Sequence, residues 1–187
     1  MSISQALKPK APRVMGIDAS TNSIAFAVLE GEKFLYCGEI NLVGADVYER
    51  IVDARRKTEV LLRHFNVGFI AIEKAVMVRS ATVGLKLAMV FGTIISVLAD
   101  NGATVVEVFP IQWQSFIGNK NLTIKEKAQI KKDFPGKSPT WYKAKSREIR
   151  KQRTMDYFND KYGLGITSDN VSDAMGVAWY AAKELTQ

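Results

Sequence analysis

Short apolar runs at the start of the chain predict three strands. Arg13 to Asp18 and Ile24 to Leu29 are two such runs, separated by small polar residues, which is typical of a β-hairpin. Gly31-Glu32-Lys33 predicts a second turn, after which Phe34 to Ile40 can return as a third strand. We therefore expect the domain to begin with an antiparallel meander.

Helical and strand-like spacing then alternate. Apolar residues recur among charges at helical intervals over residues 46–64, and residues 69–72 form a continuous apolar run that is too short for a helix and ends at Glu73. Residues 80–100 are almost wholly apolar or small and predict a helix, and residues 104–108 predict a further strand. The order βββαβαβ predicts an α/β fold with a mixed sheet.

The pattern changes after Trp113. Residues 118–142 are rich in lysine and contain Pro135-Gly136 and Pro139, which predicts an irregular insertion or a mobile arm. Helical spacing resumes over residues 143–157, and residues 168–185 predict a closing helix with polar capping residues at its beginning.

Composition narrows the class of protein. With 187 residues, 47% of them hydrophobic, the chain is expected to form one globular domain over residues 13–187, preceded by a flexible basic arm at residues 1–12. The single cysteine and single histidine exclude a disulfide framework or a Cys/His zinc site and favour a reducing compartment. We expect a cytoplasmic protein, not secreted, and no segment long and apolar enough to cross a membrane.

Positive charge is concentrated in one part of the chain. The formal net charge is +7, and residues 119–153 hold twelve Lys or Arg against three acids. This distribution favours a polyanionic partner, with nucleic acid the leading candidate because aromatic residues are interspersed with the charges.

Acidic residues end the predicted elements in this otherwise basic chain. Asp18 and Glu73 end two predicted strands, and Asp169 and Asp173 lie one turn apart at the start of the last helix. Clustered carboxylates repel one another unless a cation neutralises them, and oxygen ligands without His or Cys select Mg²⁺ or Mn²⁺. The sequence thus predicts a metal site suited to phosphodiester hydrolysis, with two ions per active site.

Several motifs together resemble the RuvC-type Holliday junction resolvases of the ribonuclease H-like superfamily, with a phage-type member as one interpretation. They are Met15-Gly-Ile-Asp-Ala-Ser-Thr-Asn-Ser-Ile-Ala-Phe-Ala-Val28, Ile70-Ala-Ile-Glu-Lys74, Leu85-Lys-Leu87 with Phe91-Gly92, Val108-Phe-Pro110, and Asn170-Val-Ser-Asp-Ala-Met-Gly-Val-Ala178. The resemblance implies a ribonuclease H-like fold with a five-stranded mixed sheet flanked by helices. It also implies a homodimer that makes paired symmetric nicks in four-way DNA junctions, in a bacterial cell or, if phage-encoded, a bacterial host.

The same resemblance assigns roles to individual residues. Asp18, Glu73 and Asp173 match the metal-binding acids of the family, and the fourth ligand is open between Asp169 and Asn170, with Asp169 favoured for its full charge. The family often has an aromatic junction wedge after the second acid, where this chain offers Val76 and Met77, and Lys145 resembles the family's basic residue near the scissile phosphate. The sequence itself adds further candidates: DNA-binding residues Arg79, Lys86, Lys120, Lys143 and Arg147, and a dimer surface on the apolar helix with Leu87, Val90 and Phe91.

Two alternatives remain. Gly16 to Ser23 resembles the phosphate-binding hairpin of actin-like phosphotransferases, although such enzymes need two lobes and this length is expected to supply one. The second alternative is a protein that binds branched DNA with attenuated cleavage, suggested by Asn170 at a position where the family usually has an acid.

Overall fold

Two antiparallel and two parallel strand pairings build one mixed sheet. The computed structural model describes residues 12–74 and 80–186, and within them the strands lie in the order β3-β2-β1-β4-β5. The first three strands are antiparallel neighbours, whereas β1, β4 and β5 run parallel. The strands are β1 (Arg13–Ala19), β2 (Ser23–Glu30), β3 (Lys33–Asn41), β4 (Phe69–Glu73) and β5 (Thr104–Val108).

Helices cover both faces of this sheet. They are α1 (Val47–Phe65), α2 (Ala81–Asp100), α3 (Pro110–Phe116), α4 (Ile124–Asp133), α5 (Pro139–Tyr162) and α6 (Asp169–Glu184). The crossover helices α1 and α2 pack on one face, and α6 packs on the other. The predicted five-stranded mixed sheet flanked by helices is confirmed, and the described residues contain this one sheet rather than two lobes.

The alternation of side chains along each strand determines on which face of the sheet each side chain packs. Met15 and Ile17 of β1 pack with Ile70 and Ile72 of β4 in the core beneath α1 and α2. Val14 of β1 and Ala71 of β4 pack on the opposite face, against α6. Because side chains alternate with a period of two, the acids at positions 18 and 73 lie on the face that α6 covers.

Glycine permits an unusually close approach of α6 to the sheet. A methyl group added at Gly16 would lie 2.3 Å from the Ala174 carbonyl oxygen and 2.3 Å from the Ala178 amide nitrogen. Only a residue without Cβ allows the backbones of β1 and α6 to come this near. The same helix carries Gly176, where an added Cβ would meet the ring of Trp113 at 2.3 Å.

The lysine-rich segment is more regular than its sequence predicts. It contains α4, which begins with a capping box in which the Thr123 hydroxyl accepts from the Glu126 amide while the Glu126 carboxylate accepts from the Thr123 amide. Helix α5 also starts earlier than predicted, with Ser138 as its N-cap and Pro139 in the first turn. The segment is thus two capped helices joined by a short link, and it is more regular than expected because these capping signals start helices on either side of Pro135-Gly136. That the segment is an insertion stays a prediction.

Helix α2 corrects a second expectation. Among the described residues it is the one helix long and apolar enough to cross a membrane, with a mean hydropathy of 1.9, so the prediction that no segment reaches this threshold was wrong. Val90, Ile94 and Leu98 nevertheless pack into the core between α2 and the sheet. One such helix is weak evidence for a membrane span, since core helices of globular proteins share this composition.

Candidate active site

Three acids meet at one edge of the sheet. Ile17 and Ile72 are parallel neighbours, so the next residues along the two strands, Asp18 and Glu73, lie side by side at the carboxyl ends of β1 and β4. Asp173 comes from the second turn of α6 and directly precedes Ala174, whose carbonyl contacts the sheet at Gly16. The chain thus brings together acids separated by as many as 155 positions.

Burial and mutual repulsion perturb these acids. Desolvation is the main cause that raises the pKa of Asp18 to about 6, of Glu73 to about 7 and of Asp173 to about 8. The charge of Asp18 further raises the pKa of Glu73, and both of these acids raise the pKa of Asp173. The site holds more negative charge than its surroundings compensate, which is the condition that a bound cation relieves.

Trp113 fixes the orientation of Glu73. Its indole Nε1–H donates a hydrogen bond of 2.7 Å to Glu73 Oε2, and the Trp113 side chain is fully buried. The indole occupies the space left by Gly176 on α6. One oxygen of Glu73 is therefore held by the protein, and Oε1 keeps its acceptor capacity.

Basic residues on α5 face the acids. Arg147 and Lys151 lower the pKa values of all three carboxyls through their positive charge. They lie one turn apart on the helix, and Lys143 lies one turn before them, so the three side chains share a face. This basic face lies beside the site at the end of the sheet.

Both candidates for a fourth ligand are already engaged. The carboxylate of Asp169 forms an ion pair with Lys151. The Asn170 amide donates to Glu39 Oε1 at 2.8 Å, and the Ser168 hydroxyl donates to Glu39 Oε2 at 2.7 Å. Neither Asp169 nor Asn170 is among the groups that perturb the three acids.

Glu39 is an acid that the sequence analysis missed. It pairs with Ala25 of β2, which in turn pairs with Asp18, so the two acids share one face of the sheet. Its charge contributes to the raised pKa of Asp18. Only the folding of β3 beside β2 reveals it, because no local sequence signal distinguishes Glu39 from an exposed strand residue.

The donor chemistry of this site fits a hard divalent cation. Asp18, Glu73 and Asp173 offer carboxylate oxygens, without the sulfur or imidazole ligands that other metals prefer. No group of three or more His, Cys, Asp or Glu within residues 12–74 and 80–186 is yet arranged closely enough to hold an ion. Closing the three acids around a cation would thus require side-chain adjustment, whereas their backbone positions already converge.

The other predicted site residues fall into separate places. Lys143 and Arg147 line the basic face beside the acids. Lys145 instead donates to Glu148 at 2.7 Å and lies over the Phe134 ring, so it points away from that face. Lys86 and Lys120 are exposed. Val76, Met77 and Arg79 lie outside the described residues.

The predicted dimer surface needs one correction. Val90 is 0% exposed and belongs to the core between α2 and the sheet, so it offers no surface to a partner. Leu87 and Phe91 are half-buried. The exposed apolar residues of α2 lie nearer its beginning, with Val83 at 50% and Leu85 at 64% exposure.

Comparisons with known proteins agree with this architecture. The family model for crossover junction endodeoxyribonuclease RuvC matches residues 14–132. The fold resembles Thermus thermophilus RuvC, solved alone and in complex with a Holliday junction substrate. Sequence identity is 14% to both; the match covers 93% of this chain and 97% of the Thermus chain, with TM-scores of 0.63 and 0.66.

A third structure of the same kind comes from yeast. The mitochondrial Holliday junction resolvase Ydc2 is 13% identical over 94% of this chain and 81% of its own, with a TM-score of 0.55. No sequence match to a curated protein was found. At these identities the structural likenesses establish the fold, and the family model carries the assignment of the family.

Proposed function

Because this chain belongs to the RuvC family of crossover junction endodeoxyribonucleases, we propose that it is a metal-dependent endonuclease that cuts four-way DNA junctions. The observation that carries the proposal is the convergence of Asp18, Glu73 and Asp173 beside a basic helical face. A bound cation neutralises the repulsion between the three carboxylates, and the basic side chains neutralise the phosphates of a polyanionic substrate. The bacterial cytoplasm remains the predicted location.

Asp18, Glu73 and Asp173 are the residues that would hold Mg²⁺, or Mn²⁺ as a substitute. When bound, such ions lower the pKa of a water and stabilise charge on the leaving oxygen. The proposal of two ions rests on the chemistry of phosphodiester hydrolysis, in which one ion activates the attacking water and the other stabilises the leaving oxygen. Glu39 is a candidate for an outer role, since it orients Asn170 and Ser168 at the beginning of α6.

The protein's own side chains position the substrate. Lys143 and Arg147 on α5 would neutralise DNA phosphates next to the site, and Lys151 would exchange its ion pair with Asp169 for a phosphate. Trp113 holds Glu73 in place through its indole hydrogen bond, so the carboxylate meets the cation preorganised. Binding and chemistry thus use adjacent parts of one surface.

A homodimer belongs to the same proposal. Two active sites related by a two-fold axis match a substrate with two opposed strands of like geometry. Val83 and Leu85, at the start of α2, are exposed apolar residues that a second copy of the chain could bury in a dimer interface. Light scattering on the purified chain should give the mass of two chains, and Leu85→Glu should shift it towards one.

The decisive experiment is cleavage of a synthetic four-way junction. We expect the wild-type chain with Mg²⁺ to nick two opposed strands, and Asp18→Asn to bind the junction without nicking it. Asp160→Asn is the matched control, because it makes the same chemical change at an exposed position of α5. A wild-type chain that prefers linear duplex, or does not bind junctions, would refute the proposal.

One observation favours a second candidate function. Asp169 is paired with Lys151 and Asn170 with Glu39, so the fourth acid usual in the family has no free equivalent here. A protein of this design could bind branched DNA and cut it weakly. Tight junction binding by the wild type with no nicking in Mg²⁺ or Mn²⁺ would establish this function instead.

A further inference from the structure

The turn between α4 and α5 carries aromatic rings at the surface. Phe134 follows the last residue of α4 and is 40% exposed, and Trp141 lies in the first turn of α5. The centroids of the two rings are 5.2 Å apart. We call residues 134–141 the hairpin tip. An aromatic surface displayed at the end of a helical hairpin indicates a contact with another molecule.

Hydrogen bonds fix the conformation of the hairpin tip. The Tyr142 hydroxyl donates to the carbonyl oxygen of Phe134 at 2.6 Å, and the Ser138 hydroxyl accepts from the amide of Trp141 at 3.2 Å. Gly136 supplies the positive φ of 76° that lets the chain reverse between the helices. The two rings are therefore held in position before a partner binds, which reduces the entropy that binding would cost.

Lysines surround these rings. Lys137 Nζ lies 5.8 Å from the centroid of the Trp141 ring, and Lys145 Nζ lies 5.8 Å from that of Phe134. Residues 131–145 hold five lysines against one acid. A protein partner with an apolar surface would have to bury these charges, whereas a strand of nucleic acid offers flat bases to the rings and phosphates to the lysines.

The hairpin tip lies along the same surface as the acids. Tyr142 lines a cavity of about 680 Å³ that Glu73 and Asp173 also line. On α5, Trp141 precedes Lys151, which faces the acids, by ten residues, a length of about 15 Å along the helix. Nucleotides of a stacked strand follow one another every 3.4 Å or so. A DNA strand that leaves the acids along α5 would thus reach the tip after about four nucleotides.

We propose that the hairpin tip is a second DNA contact, remote from the acids, where Phe134 and Trp141 stack on a base that is unpaired near the branch of the junction. Linear duplex covers the faces of its bases, and a branch point exposes them. Every base has a π-face, so such a contact holds the strand whatever its sequence. Lys137 and Lys145 would neutralise the adjoining phosphates. This inference rests on the proposed function and adds an anchoring site to it.

Tryptophan emission tests whether a base reaches the hairpin tip. Of the three tryptophans, Trp113 and Trp179 are 0% and 5% exposed, so acrylamide in solution quenches Trp141 before the others. In the non-cutting Asp18→Asn background with Mg²⁺, a saturating four-way junction should lower the emission of Trp141 and protect it from acrylamide. A saturating blunt duplex of equal length should do neither, and Trp141→Phe should abolish the change.

Three outcomes of this titration would overturn the inference. The first is unchanged emission while the anisotropy of labelled DNA shows that the junction is bound. The second is a change that persists in Trp141→Phe, which would come from Trp113 beside Glu73. The third is an emission change that follows protein concentration without DNA, which would assign the tip to a contact with a second copy of the chain. Absence of junction binding would refute the proposed function as well, so the two failures are distinguishable.

Removing the ring and the base in turn measures the stacking itself. Phe134→Ala should weaken junction binding at least about fivefold, the lower end for loss of one stacked base, and Phe134→Tyr, which keeps the ring, should bind as the parent chain does. Single abasic residues are placed from the nicked phosphate to about six nucleotides away. At one position the abasic residue should weaken binding by the parent chain and leave binding by Phe134→Ala unchanged.

Phe116→Ala is the matched control for Phe134→Ala. Phe116 is 37% exposed and its ring contacts Tyr180 on α6, away from the hairpin tip. This variant should bind the intact junction as the parent chain does and should lose affinity at the same abasic position. If the losses from Phe134→Ala and from the abasic residue multiply at every position, the ring and the base do not touch, and the inference is wrong.

Discussion

Substituting Gly16 by alanine should separate the strand acids from the helix acid. The added methyl would lie 2.3 Å from the backbone of α6 at two points, whereas Cβ atoms are ordinarily 3.4 Å or more from such neighbours. Backbone atoms on both sides cannot rotate away, so α6 must move outward by about 1 Å. Asp18 follows Gly16 on the same strand face, and Asp173 directly precedes one of the contacted residues on α6.

Two measurable losses follow from this displacement. Overpacking of this kind costs about 1 to 3 kcal/mol, which for a chain of this length lowers the Tm by roughly 3 to 10 °C. A misplacement of about 1 Å among catalytic groups can lower the rate about 100-fold. Thermal unfolding followed by circular dichroism measures the first loss, and single-turnover junction cleavage well below the new Tm measures the second.

Gly165→Ala is the control for Gly16→Ala. A methyl group at Gly165 meets no atom within 4 Å, so its Tm and cleavage rate should equal those of the wild type. The reasoning would be refuted if Gly16→Ala unfolded within 1 °C of the wild type and cut at the wild-type rate. A lower Tm with an unchanged rate would mean that the spacing of β1 and α6 supports the fold without setting the site.

Three further perturbations test other contacts. In a buffer that contains EDTA, the free energy of unfolding should fall as the pH rises from about 4 to about 8. The reason is that Asp18, Glu73 and Asp173 ionise at lower pH in the unfolded chain than in the folded chain, where their pKa values are about 6, 7 and 8. Asp173→Asn should accordingly raise the Tm at pH 8 in EDTA, and an unaltered profile of Tm against pH would contradict this explanation. Trp113→Phe removes the bond that lowers the pKa of Glu73 and should cost about 2 kcal/mol of stability and weaken Mn²⁺ binding in calorimetry at pH 7; equal Mn²⁺ affinity would exclude a role for the indole at the site. Asp53→Asn removes a carboxylate held by three donors far from the site, and should cost about 2 kcal/mol in urea unfolding without changing the cleavage rate.

The sheet face on which Asp18 and Glu73 lie was predictable because it follows from the alternation of side chains along each strand. Residues 70–72 are an apolar run ended by an acid, and the strand carrying Asp18 has the same form, so parity alone places both carboxyls on one face. The position of Asp173 followed from its place in the first turns of a capped helix. The placement of these three acids thus depends on strand alternation and helix capping, which a few neighbouring residues specify.

What the sequence concealed depends on contacts between distant segments. Glu39 accepts a hydrogen bond from Asn170, 131 positions away in the sequence, and Glu73 accepts one from Trp113, 40 positions away. The residues next to Glu39 and Trp113 in the sequence therefore give no sign of these contacts. Lys151, which the sequence analysis did not single out, is hidden for another reason. Which residues of α5 face the acids depends on the rotation of that helix against the sheet, and tertiary packing determines that rotation.

The Trp113 side chain, which contacts Gly176, both determines helix packing and orients Glu73. The six-membered ring of the indole limits how near α3 can come to α6, while its N–H group orients the Glu73 carboxylate on β4. A larger residue at position 176 would thus disturb catalysis through the tryptophan without touching any acid. Among relatives of this chain the two positions should covary, with bulk at 176 tolerated only where a smaller ring replaces the indole and another donor serves the glutamate.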